Sequence, residues 1–186
     1  MRKLKKSNFV LIAIMAVSLF ATACVDNKKI EEANKLVDSA NKKANDAKPM
    51  LTKAGEAFTK ANDGMDDYDE TKTKNEAALK ASMGDYDKVI ELYKGSSADF
   101  TGAAKLSDDS DFKSYYEASA KEMDNLAAMA TQSKSLVQAF IESKSIEEYS
   151  KKLDEIKGKI DALRKEGDEL TAKAKKLEEA VKSKSK

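Results

Sequence analysis

The chain has 186 residues, and its 34 Lys plus Arg nearly balance 33 Asp plus Glu. It holds one cysteine, one proline and no histidine or tryptophan. Opposite charges are interspersed throughout, which excludes the one-sided basic footprint of a nucleic-acid binder. The lack of histidine removes the commonest general base, the Ser-His-Asp arrangement and the Glu-His ligand sets of di-iron bundles, so a non-catalytic chain is expected. Abundant Ala, Lys, Glu and Asp with little Gly or Pro favour long helices over strands.

The first segment reads as an address. Arg2, Lys3, Lys5 and Lys6 precede an apolar run from Phe9 to Phe20 that only Ser18 interrupts, and small residues follow at Ala21, Thr22 and Ala23. That run is too short to span a bilayer as a stable helix but has the length of a secretory signal. The sole cysteine, Cys24, stands directly behind it. These residues resemble the signal peptide and lipobox of bacterial lipoproteins, with Ala21 where that family usually has Leu. The resemblance covers about the first twenty-five residues. It implies cleavage between Ala23 and Cys24, a diacylglyceryl group on the Cys24 thiol, N-acylation of the new amino terminus and attachment to a membrane outside the cytoplasm. Residues 1–23 are then signal peptide, and 24–186 form a single helical domain with no free thiol for a disulfide. Val25 after Cys24 does not match the inner-membrane retention signal of enteric lipoproteins, so an outer membrane is expected in a Gram-negative cell.

Four helices are predicted, at 27–62, 70–105, 109–142 and 146–182. Ile30, Ala33, Val37, Ala40, Ala44, Ala47, Leu51, Ala54, Phe58 and Ala61 alternate steps of three and four, one stripe of one helix. Pro49 falls outside that stripe, and Asn62-Asp63-Gly64 ends it. In the second helix Leu79, Tyr86, Val89, Tyr93, Phe100 and Ala103 keep the spacing, while Gly84, Gly95-Ser96-Ser97 and Gly102 predict a bend or break near Gly95. The third stripe is Tyr116, Ser119, Met123, Leu126, Ala130, Ser133, Val137 and Phe140. Ser145 with Glu148 forms a capping box before the fourth stripe: Ile146, Tyr149, Leu153, Ile156, Ile160, Leu163, Gly167, Leu170, Ala174, Leu177 and Val181. The fold class is therefore all-α, an antiparallel four-helix bundle or long helical hairpins with heptad packing. The alanine-rich first stripe needs a bulky neighbour, and an up-down-up-down bundle predicts the fourth helix in that place. An oligomer, with the partner helix supplied by another copy, satisfies the same heptads.

Few residues point to chemistry. Asp63, Asp66, Asp67, Asp69 and Glu70 form a weak cation candidate at the first turn, but an EF-hand begun at Asp67 puts Lys72 at the glycine position and Ala78 at the bidentate glutamate position. Helix capping is the stronger reading of this cluster and of Ser107-Asp108-Asp109-Ser110-Asp111. Phe112, Tyr115 and Tyr116 fit either a contact surface or a wide core face. The tail Lys182-Ser183-Lys184-Ser185-Lys186 weakly resembles that of the murein lipoprotein, whose terminal lysine is joined to peptidoglycan; an alternating bundle instead returns it towards anionic headgroups. The expected function is a non-catalytic scaffold or binding module of the cell envelope, anchored by lipid and facing an envelope protein partner. The rival classes are a surface-exposed adhesin or ligand-binding lipoprotein and, third, a peptidoglycan tether through Lys186. No cofactor beyond the lipid and no nucleic acid is expected.

Overall fold

The computed structural model describes residues 27–62 and 67–184, almost all of them in four helices: α1 (Asn27–Asn62), α2 (Tyr68–Leu106), α3 (Ser110–Glu142) and α4 (Ile146–Lys184). Each start after the first has a local chemical cause. The Asp67 carboxylate accepts the Glu70 amide at 2.9 Å, starting α2 two residues before the expected position. Asp109 does the same for α3, accepting from the amides of Asp111 at 2.8 Å and Phe112 at 3.2 Å. At α4, Ser145 Oγ accepts from the Glu148 amide at 3.3 Å, and the Glu148 carboxylate reaches back to the Lys144 amide at 2.9 Å. The box thus closes one residue earlier than the usual reciprocal pair. At the other ends, the Ser107 and Ser143 amides donate to the carbonyls of Ala103 and Ala139, stopping α2 and α3.

Consecutive helices run antiparallel. Along α1 and α2, Lys53 pairs with Asp85 at 3.0 Å and Lys43 with Asp99 at 2.6 Å, so one number rises as the other falls. Lys134 with Asp87 continues the pattern between α2 and α3, and Thr171 with Glu122 between α3 and α4. The extended interfaces are α1 on α2, α2 on α3 and α3 on α4, with only a small α1–α3 contact. This corrects one expectation, because α1 and α4 share no packed interface.

The alanines of α1 explain the difference. Ala40, Ala44, Ala47 and Ala54 are wholly buried, and α2 alone provides most of the cover. It does so by approaching closely: Ser96 Oγ donates to the Ala40 carbonyl at 2.9 Å, and Leu36 Cδ1 lies 3.0 Å from where a Cβ on Gly102 would stand. Small residues on both helices shorten the separation, and Tyr86, Val89, Tyr93 and Phe100 of α2 add the bulk. The same approach corrects the expected break near Gly95. There the helix continues without a break, with the Lys43 stem packed over Gly95 and its ammonium on the Asp99 carboxylate. Pro49 is exposed within a continuous α1, on the outward side as expected.

α4 is held differently. Among its stripe residues Tyr149, Ala174 and Val181 are buried, but Leu153, Ile156, Ile160, Leu163, Leu170 and Leu177 are only half-buried. One packed neighbour cannot cover a seam built for two. At the end of the molecule where α1 finishes and α4 starts, four rings tie the helices together. Phe140 of α3 meets Phe58 of α1 at 6.3 Å, Tyr68 of α2 at 5.2 Å and Tyr149 of α4 at 5.2 Å, all edge-on.

Candidate functional site

Cys24 and Ala23, the sequence's lipidation and cleavage residues, lie outside the described residues, as do Asp63 and Asp66 of the acidic cluster. The remaining acidic residues do not converge. Asp67 is occupied as the α2 cap, and Asp69 and Glu70 stand exposed in the first turn, where they oppose the positive end of the helix dipole. Among the described residues no three carboxylates or other ligating side chains are grouped to hold a metal ion. A shallow hollow of about 500 Å³ between α1 and α2 is lined by Lys43, Met50, Lys88, Glu91, Leu92 and Gly95. It brings together one carboxylate, not the pair that acid and base chemistry needs.

The aromatic group of α3 belongs to the core. Phe112 and Tyr116 are buried, with ring centres 6.2 Å apart, and Tyr115 is half-buried against Tyr116 at 5.6 Å. Burial pushes the Tyr115 hydroxyl up to about 12, so it stays a neutral donor. Tyr86 and Tyr93 are shifted to the same value for the same reason.

Two features were not read from the sequence. At the α3–α4 turn, the Tyr68 hydroxyl donates to the carbonyls of Phe140 at 2.7 Å and Ser143 at 3.3 Å, and the Lys72 ammonium donates to the Ser143 carbonyl at 2.9 Å. Residues of α2 thereby satisfy the C-terminal carbonyls of α3, where the dipole is negative and a cation is favoured. The second feature is a polar contact inside the α3–α4 interface. Glu122 and Asn125 are buried, at 6% and 5% exposure. Thr171 Oγ1 donates to Glu122 Oε1 at 2.8 Å, and Asn125 Nδ2 donates to the Leu163 carbonyl at 3.1 Å. Asn125 Oδ1 is buried without a partner and lies 2.8 Å from where a Cβ on Gly167 would stand. Burial pushes the pKa of the Glu122 carboxyl above the usual carboxylate range; the Thr171 hydroxyl and the Lys48 charge on α1 oppose that rise. The sequence signal available was Gly167, a residue without a side chain in a seam otherwise dominated by Leu and Ile.

No family model, curated protein or solved structure matches this chain. No helix among the described residues is long and apolar enough to cross a membrane.

Proposed function

We propose that this chain is a lipid-anchored protein of the cell envelope that acts without catalysis as a scaffold and binding module. The observation that carries the reading is Cys24, the single cysteine, immediately behind a charged and then apolar leader. The described helices fit such an anchor. α1 begins at Asn27, three residues past the acylated position, so the bundle stands close to its lipid. The Lys29 ammonium lies 3.5 Å from the Asp108 carboxylate, which puts the start of α1 beside the α2–α3 turn. The opposite end, with its Phe58, Tyr68, Phe140 and Tyr149 rings, then stands about 50 Å from the anchor, given 36 residues in α1 at about 1.5 Å each.

Binding is favoured over a pure spacer role by α4, whose leucines and isoleucines are half covered and whose Ile146 is exposed at the far end. The anchor is tested with Cys24→Ser in the native host. The unsubstituted chain should enter the detergent phase on cloud-point partition and carry acyl mass on its N-terminal peptide. The variant should stay aqueous or uncleaved; a processed variant that still partitions into detergent removes the lipoprotein reading.

A further inference from the structure

We propose that α4 is a proton-coupled latch: it seats on α3 with Glu122 protonated, so that acid tightens the α3–α4 interface and rising pH loosens it. Geometry carries the argument. Glu122 is turned into the interface, and among the described residues it has no ion-pair partner. Across the interface it meets a single neutral hydroxyl, that of Thr171 at 2.8 Å. An ionised carboxylate offers acceptor sites only and loses its hydration on burial, so one hydroxyl does not replace what water supplied. A protonated carboxyl asks far less of the same surroundings.

The neighbouring charges leave this balance in place. From α1, the Lys48 ammonium favours ionisation, but less than burial opposes it, and it is itself engaged with Asn45. On α3, the Tyr115 hydroxyl feels Glu122 as a negative neighbour, and Glu178 of α4 adds to that field. α2 supplies none of the charges acting on Glu122. The rest of α4 is the element such a group can move, because its apolar seam is half-covered and α3 is its one extended neighbour.

The sign follows from proton linkage. Seating raises the pKa of Glu122, so the seated state binds more protons than the released one. The interface is therefore strongest below the ordinary glutamate range. It weakens as pH climbs from that range to the raised value and stays at its weakest above it, the reverse of a salt-bridged carboxylate.

The test uses the full chain in detergent micelles with ¹³C-labelled glutamate. The Glu122 carboxyl should titrate above the exposed glutamates of the same spectrum. Amide protection over residues 163–177, corrected for intrinsic exchange, should rise by up to about tenfold per pH unit of acidification within that window. Glu122→Gln should hold protection high and flat with pH. Lys48→Met, on α1 and so outside the two helices of the interface, should move the window upward and keeps the proposal testable should Glu122→Gln fail to fold. A Glu122 midpoint among those of the exposed glutamates overturns the latch. So does a pH response that persists unchanged in Glu122→Gln.

Discussion

Gly158 and Gly167 lie on the same helix, yet the space beside them differs. Nothing stands within 4 Å of a Cβ at Gly158, whereas at Gly167 a Cβ would meet Asn125 Oδ1 at 2.8 Å. Alanine in a helix interior is favoured over glycine by about 1 kcal/mol. Gly158→Ala should gain that amount and raise the melting temperature. Gly167→Ala gains the same propensity but pushes on an amide already bonded to the Leu163 carbonyl, at a cost of about 1–3 kcal/mol. Opposite shifts in paired thermal melts are expected, and equal upward shifts would show that Asn125 moves freely. The spacing of the fourth stripe puts Gly167 on the seam and Gly158 off it, but does not say what fills the space beside Gly167. That filler, Asn125 of α3, comes from more than thirty positions away in the chain.

At the scale of helices, the stripes were legible and their neighbours were not. Leu79, Tyr86, Val89, Tyr93, Phe100 and Ala103 are all buried on α2 as their spacing predicted, and so are Tyr116, Met123, Ala130, Val137 and Phe140 on α3. A three-four repeat states which face a helix hides, but not what hides it. The alanines of α1 call for a neighbour, and both bulk from α4 and close approach by the small residues of α2 answer that need; the structure takes the second. Gly95-Ser96-Ser97 read as a break for the same reason, since the residues that weaken an isolated helix are those that let α1 come near. Substitutions should rank accordingly. Val89→Asp places an unpaired carboxylate in a site with no exposed surface and should cost about 4 kcal/mol. Ile160→Asp, on the half-open seam of α4, should cost about half as much. Chemical denaturation of both variants checks the order, and equal losses would mean that α4 is covered as fully as α2.

For the molecule as a whole, the interfaces form a series rather than a ring. Native-state hydrogen exchange should report that gradient. Amides from Ala40 to Ala54 and from Val89 to Phe100 should exchange last, and those from Ile156 to Leu170 first among the helix interiors. Uniform protection across all four helices would instead mark one cooperative unit. The series also bears on how the chain reaches its fold. Every extended interface joins helices that are consecutive in sequence, so each contact closes a short loop and the entropy lost before packing repays it stays small. A chain that emerges from its N-terminus can complete the α1–α2 hairpin while the rest is still being delivered. Each later helix then arrives at a template already standing, and no step waits for the two ends of the polypeptide to meet.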